Sequence, residues 1–321
     1  MKTTKMKAII LAEYGGVLTL EDVSKPTIKD DEVLVKVKNT AVNHLDTVEA
    51  SGAAKEFFPI ELPWIPGHEF SGVVEEVGKK VTSLKAGDAV FGNSPKGSYA
   101  EYIAVNKDLV VKKPENLSFA EAAAVPVAAQ TAWQAIFTHG QLSKGQRILI
   151  HGGAGGVGAY AVQLAYNKGA EVIVTASASD KDFLHSIGAK QIIDYKTEKF
   201  EDKIVGKVDV VFDLIGGENQ QRSYTVLKQG GHLISANQPV SQSDASKYKV
   251  TAVLMSMVPS QEKLSGIAKL LKEGKLKVDV AKLYPLANVS QAWEDISGNL
   301  SKGKQGSQKV THGKLVLEVS K

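Results

Sequence analysis

The chain has 321 residues and carries 39 lysines and arginines against 35 aspartates and glutamates, a net charge of +4, with no cysteine. Lacking cysteine, it has no disulfides, thiolate nucleophile or cysteine-ligated metal, and a small positive excess without a dense basic run suits an anionic small ligand better than a nucleic acid. No stretch reaches the ~18 apolar residues of a membrane span and no signal peptide opens the chain, so a soluble, cytoplasmic protein is expected, with two domains as the default at this length.

Residues 6–125 read as β-rich: MKAIILAEY, LTLEDV, EVLVKVKNTAVN, GVVEEVG and DAVFG alternate or run apolar in short pieces between Gly, Pro and Asp. Around Pro114 the texture changes, and SFAEAAAVPVAAQTAWQAIF predicts helix interrupted at Pro126. Strands and helices then alternate to about residue 258: ILIHG, a helix over Val157–Asn167, EVIVTAS, a helix over Lys181–Ser186, QIIDY, VDVVFDLIG, a helix over Gln220–Lys228, GGHLISAN and VTAVLMSM. Such alternation implies an α/β unit with a doubly wound parallel sheet and right-handed crossovers. After Gln261 come an amphipathic helix with Leu264, Ile267, Ala268 and Leu271 on one face, the run VDVAKLYPL, a helix VSQAWEDI and a last strand KLVLEV. That strand has the short alternating pattern of the first domain. The expected organisation is therefore one domain from residues 1–124 and 260–321, with a nucleotide-binding domain of residues 125–259 inserted into it. GNLSKGKQGSQKVTHG reads as a polar, mobile loop.

The stretch ILIHGGAGGVG, residues 148–158, carries the chemistry. Gly153, Gly155 and Gly158 spell G-x-G-x-x-G between a strand and a helix, one glycine for the tight turn, one for close approach to a pyrophosphate and one for helix–strand packing. Alone the string could be a flexible loop; the βαβ flanks make Gly153, Ala154, Gly155, Gly156, Val157 and Gly158 a dinucleotide cradle, with the helix N–H groups facing phosphate. At the end of the second strand, where an acid would accept from the ribose of NAD and repel a 2′-phosphate, the chain has Ser177. Lys181, four residues on, offers a positive charge, so NADPH is favoured; Asp180 beside it argues the other way, as does a plain solvated lysine.

AVNHLDTVEASG, IPGHEFSGVVEEVG, AGDAVFG, AAAVPVAAQTAW, HGGAGGVG and GKLVLEV occur in this order, and over nearly its whole length the chain resembles the zinc-free quinone oxidoreductases of the medium-chain dehydrogenase/reductase superfamily. The resemblance implies a Rossmann-type sheet beside a β-rich GroES-like catalytic domain, an active site in the cleft, NADPH as reductant, quinones or other electron-poor enones as acceptors, and a homodimer formed through the edge of the nucleotide-binding sheet. By the same resemblance Tyr195 reaches the 2′-phosphate, Thr131 lies near the nicotinamide ribose, and Ile215, Gly216 and Asn237 line the nicotinamide; for Asn and Gly, turn chemistry is an equal alternative.

Zinc relatives in the superfamily use a Cys, a His and a Cys, whereas this chain has Asn43 at the first position and Val127 at the last. His68 alone cannot hold zinc where three ligands are needed, and His44 with Asp46 does not make a site, so no metal is expected. His68 and Glu69 are expected to form a hydrogen-bonded structural pair near the cleft, with a catalytic role as the alternative. Asn43 is the candidate catalytic donor to a developing enolate or hydroquinone oxygen. A tyrosine that the family often carries is replaced by Val48, Tyr99 reads as packing with a contribution to the site as the alternative, and Phe57, Phe58 and Trp64 read as an apolar lid or core edge. With no convincing general acid, water is left to supply the proton. The runner-up function is an alkenal/enone double-bond reductase; from another class, an NADPH-binding structural or regulatory protein without turnover.

Overall fold

The computed structural model describes residues 4–298 and 312–320. Strands β1 (Lys5–Leu11) and β2 (Leu18–Ser24) form an antiparallel pair. In β3 (Glu32–Ala41) the two-residue period turns Val33, Val35 and Val37 onto one buried face. They meet Phe70 and Val74 of β4 (Glu69–Val77), Val90 of β5 (Ala89–Asn93), Ile103 and Val105 of β6 (Tyr102–Asn106) and Val110 of β7 (Val110–Lys112) in one core. Between β3 and β4 lies α1 (His44–Ser51), and after β7 come α2 (Phe119–Ala123) and α3 (Pro126–Trp133), the latter with proline at its start, where the missing N–H costs nothing.

Next come β8 (Arg147–His151), α4 (Gly156–Asn167), β9 (Glu171–Ala176), α5 (Lys181–Ser186), β10 (Gln191–Asp194), α6 (Phe200–Lys203), β11 (Val208–Asp213), α7 (Glu218–Ser223), β12 (Leu227–Ser235), α8 (Gln242–Tyr248) and β13 (Thr251–Leu254). Their strands form a six-stranded sheet in the order β10-β9-β8-β11-β12-β13, parallel throughout. The central strands are apolar on both faces because both are covered: Ile148, Ile150 and Phe212 enter one core, Leu149 and Val211 the other. The strand order reverses between β8 and β11, and the crevice beyond the carboxyl ends of those two strands is where open α/β sheets bind ligands.

One expected helix is displaced. Instead of a helix over Gln220–Lys228, α7 starts two residues earlier at Glu218 and stops at Ser223, a 3-10 turn takes Tyr224–Val226, and β12 begins at Leu227. Leu227 pairs with Val208 ahead of a register shift, so strand pairing overrides the local helical pattern.

The last part comprises α9 (Gln261–Lys272), β14 (Val280–Pro285), α10 (Val289–Gly298) and β15 (Lys314–Glu318). Leu264, Ile267 and Leu271 of α9 share the core of α3 and α4. β14 pairs with β15, and β15 runs antiparallel to β3, with Val316 opposite Ala41, in the seven-stranded sheet of the first domain. We propose that the chain divides into an inserted nucleotide-binding unit and a surrounding β-rich one, with α9 packed on the former. The loop expected at residues 298–313 falls almost wholly outside the described residues. Among the described residues no helix is long and apolar enough to cross a membrane.

Candidate active site at the glycine turn and helix α1

β8 delivers the chain to the glycine turn at the reversal point of the sheet. A Cβ on Gly153 would fall 2.2 Å from Val174 Cγ1, and one on Gly158 would fall 2.3 Å from the Gly152 carbonyl oxygen and 2.7 Å from Gly153 Cα. Both positions are glycine because helix and strand press together there. Gly155 is different: a Cβ there would meet only the Gly152 oxygen, at 3.4 Å, so this side of the turn is open. Gly155 is also the N-cap of the twelve-residue α4 and caps it with no side chain, leaving the leading N–H groups to a ligand. Ala154 is buried and Val157 half-buried beside it. The turn thus has the shape and donors a diphosphate needs, and the cradle fits a dinucleotide.

At the carboxyl ends of β9 and β10, Ser177 and Tyr195 come together: the Tyr195 N–H donates to the Ala176 carbonyl, and the Tyr195 ring is exposed. The cation beside Ser177 is Lys196, its Nζ 3.0 Å from Ser177 Oγ. Lys181 is exposed at the start of α5. Lys196 was missed by sequence reasoning, although its place just after Tyr195, at the end of the strand neighbouring β9, is the signal that could have found it.

On the other side of the reversal point the ends of β11 and β12 meet. Asn237 Nδ2 donates to the Ile215 carbonyl at 2.8 Å, and the Asp213 carboxylate accepts from the N–H groups of Ile215 and Gly216 at 3.0 and 2.9 Å. Gly216 has φ +79°, a conformation that favours glycine. Turn chemistry therefore accounts for these three residues as well as a nicotinamide role does. Thr131 donates its hydroxyl to the Val127 carbonyl one turn back, at 2.7 Å.

Asn43 sits at the N-cap of α1, where its N–H donates to Asp46 Oδ2 at 2.8 Å. Its side chain joins three elements. Asn43 Nδ2 donates to Glu69 Oε1 at 2.9 Å, and Asn43 Oδ1 accepts from Lys314 Nζ. Lys314 also pairs with Glu69 at 2.9 Å, while Glu69 Oε2 accepts from the Val127 N–H at the start of α3. Glu69 is wholly buried and Lys314 nearly so. The stem of Lys314 lies over the glycine turn, its Cδ 2.8 Å from where a Cβ on Gly156 would be. Through this one side chain the nucleotide cradle touches the Asn43 cluster. The sequence contained both GHEF and GKLVLEV, but nothing in it said that Glu69 and Lys314 meet.

The expected His68–Glu69 pair is not formed. Neighbouring residues on an extended chain point to opposite sides, so Glu69 faces Asn43 while His68 faces α1. There His68 Nε2 lies 2.7 Å from Glu49 Oε2 and 3.5 Å from Asp46 Oδ1. Burial works against a charged imidazole, but the hydrogen bond to Glu49 and the charges of Asp46, Glu49 and Glu69 outweigh it, raising the His68 pKa to about 9. Burial pushes the Asp46 carboxyl up, against the pull of His68 and of the Asn43 N–H and Tyr99 O–H it accepts. Tyr99 is fully buried and donates to Asp46 Oδ2 at 2.7 Å, so it braces α1 from behind. One ligand atom each from Asp46, Glu49 and His68 lies within 4.8 Å of the others. His68 is therefore not isolated, as its sequence neighbours suggested: Glu49, one helical turn from Asp46, completes the group. The nitrogen in that group is the one hydrogen-bonded to Glu49, and a charged imidazole between two carboxylates accounts for the cluster.

Of the proposed lid, Trp64 is tied by a backbone bridge to Leu11 and belongs to the core edge, whereas Phe57 is 80% exposed and Phe58 lies at the surface.

Residues 29–115 match the family model described as an alcohol dehydrogenase GroES-like domain, and residues 187–305 the one described as a zinc-binding dehydrogenase. The chain is 42% identical to the 2-methylene-furan-3-one reductase of Solanum lycopersicum over 245 residues, 72% of this chain and 62% of that protein. It is 36% identical to the NADPH-dependent alkenal/one oxidoreductase of Arabidopsis thaliana, over 94% of this chain and 78% of that one. The solved structure of the quinone oxidoreductase from Coxiella burnetii superposes with a TM-score of 0.88 at 33% identity, covering 99% of this chain and all of the other. With a glycine-turn nucleotide cradle set against a GroES-like domain, and with two of these likenesses covering 94% and 99% of it, the chain belongs to the quinone oxidoreductase family of the medium-chain dehydrogenase/reductase superfamily and is an oxidoreductase.

Proposed function

We propose that this oxidoreductase uses NADPH to reduce small electron-poor acceptors, quinones first and enones second, in a site without zinc. The observation that carries the reading is the contact of Lys314 with both the glycine turn and Asn43, which sets the cofactor cradle against a polar amide at the place where a carbonyl oxygen gains charge. NADPH, when bound, supplies a hydride to the acceptor. The chain's own residues do the rest. The N–H groups at the start of α4 are the proposed diphosphate donors, and Ser177, Lys181, Lys196 and Tyr195 the proposed 2′-phosphate contacts, a reading supported by the meeting of Ser177 with Lys196 and of Ala176 with Tyr195. Glu69 and Lys314 fix the Asn43 amide, and the N–H of Asn43 not engaged by Glu69 remains to stabilise the reduced oxygen. The enone reading draws support from Val48, which replaces a family tyrosine, and from the alkenal/one and furanone reductases among the relatives. The outer edge of β13, unpaired among the described residues and with Leu254 exposed, is our proposed homodimer contact, and a cytoplasmic location our proposed setting.

Steady-state rates with NADPH and NADH, each with a simple quinone and a small enone, test this directly. NADPH is expected to be preferred by about tenfold or more in kcat/KM, the worth of one good charge-assisted contact; equal use of NADH removes the phosphate-site reading. Asn43→Ala is expected to lower kcat by roughly 100-fold, as loss of an oxyanion donor does, while the NADPH dissociation constant moves little. An unchanged kcat excludes Asn43 from the chemistry.

A further inference from the structure

Reducing a quinone or an enone consumes a proton as well as a hydride, and among the side chains around Asn43 none offers one freely. The Asn43 amide is not an acid. Lys314 is enclosed between Asn43 and Glu69, and losing its proton would strand the Glu69 charge in a wholly buried place.

His68 is placed differently. Its ring lies 3.5 Å from Asp46 Oδ1, and the other Asp46 oxygen accepts from the Asn43 N–H at 2.8 Å, so a single carboxylate stands between the ring and Asn43. On one side Nε2 is held by Glu49 and Asp46, both from α1, which fixes the ring plane. The other ring nitrogen, Nδ1, makes no hydrogen bond among the described residues and is not among the buried unpaired atoms. Within the group the imidazole is the open member, its side chain 24% exposed against 7% for Glu49 and none for Asp46.

We propose that His68 is the general acid of the reaction, its Nδ1–H delivering the proton that the reduced acceptor takes up. The inference rests on the reductase reading above. As an enone's β-carbon gains a hydride, the nicotinamide is oxidised and the carbon–carbon π pair moves to the carbonyl, giving an enolate. The Nδ1–H bond then breaks as a C–H bond forms at the α-carbon, the pair left on nitrogen making a neutral imidazole. For a quinone the same proton goes to a hydroquinone oxygen. The Nε2–H bond to Glu49 survives the transfer, so no carboxylate loses its partner, and water on the open side restores the proton. An imidazolium kept charged to about pH 9 is a loaded acid at neutral pH. The charged and titratable groups around it are Asp46 and Glu49 from α1, Glu69 from β4, Tyr99 acting through Asp46, and Lys314 from β15.

The test joins a readout on the free protein to one on turnover. NMR of the histidine ring carbons should place His68 near pH 9 in the wild type and clearly lower in Glu49→Gln, which keeps a hydrogen bond and removes a charge. With an enone, kcat/KM, which reports the free enzyme, should be flat below that midpoint and fall above it, and the limb should move to lower pH in Glu49→Gln by as much as the NMR midpoint moves. His68→Gln should lose about 100-fold in kcat and the limb itself, with the NADPH dissociation constant within about twofold of wild type. Two results overturn the proposal: wild-type kcat and an intact limb in His68→Gln, or a limb that stays put in Glu49→Gln while the NMR midpoint shifts. If Glu49→Gln does not fold, His68→Gln decides alone. A wild-type protein that binds NADPH but reduces neither acceptor sinks the reductase reading itself, which this design separates from loss confined to the His68 variant.

Discussion

Gly155→Ala is expected to weaken NADPH binding by about tenfold to 100-fold while leaving the melting temperature unchanged. Position 155 has ordinary helical-start backbone, φ −69°, and a methyl there meets only the Gly152 oxygen at 3.4 Å. The folded protein therefore tolerates it. On the proposed binding mode the methyl fills the space a diphosphate enters, so the loss falls on the ligand alone. Gly158→Ala is the contrasting control: its methyl collides with backbone at 2.3 Å, so both affinity and thermal stability should drop. Fluorescence titration with NADPH alongside circular-dichroism melts gives the two readings. Wild-type affinity in Gly155→Ala would mean that the phosphates lie elsewhere.

The second large effect concerns Lys314→Met. Methionine keeps the apolar stem over Gly156 and removes the ammonium, leaving the wholly buried Glu69 with only the Asn43 amide and the Val127 N–H. Removing one partner of a buried ion pair costs about 3–5 kcal/mol, because the other charge stays uncompensated. The variant should melt many degrees lower. Adding Glu69→Gln to it should restore much of the loss, since a neutral amide beside the thioether leaves no stranded charge; the double-mutant cycle isolates the pair. Equal melting of Lys314→Met and wild type would show that the pair contributes nothing net to stability.

What the sequence revealed and what it concealed divide along physical lines. Strands β8, β9 and β11, helices α4 and α5 and the glycine turn are encoded locally, by apolar runs, a 3.6-residue period and glycines, and they stand where those signals put them. The return of β15 to the sheet of β3 was legible from its alternation. The start of β12 was not, because a partner strand decides it. Sites built from contacts were hidden for the same reason. Lys314 meets Asn43 across almost the entire chain, and no spacing encodes that. His68 and Glu69 were expected to face one another, yet an extended strand sends adjacent side chains apart, and which carboxylate each would find depended on α1. Lys196 was passed over for Lys181 because the distance along the chain hid the adjacency of β9 and β10.

The position of β15 between β14 and β3 bears on biosynthesis. As the polypeptide leaves the ribosome, β3 emerges before the six-stranded sheet, and the strand that covers its flank only after it. Until residues 314–318 are made, β3 lacks that partner along its flank, and Glu69 awaits its lysine. The unit we propose as inserted, whose six strands all lie between residues 147 and 254, would then mature first. Nascent chains of this protein thus pass through a stage with a finished nucleotide cradle and an open sheet, the stage at which a chaperone has most to protect.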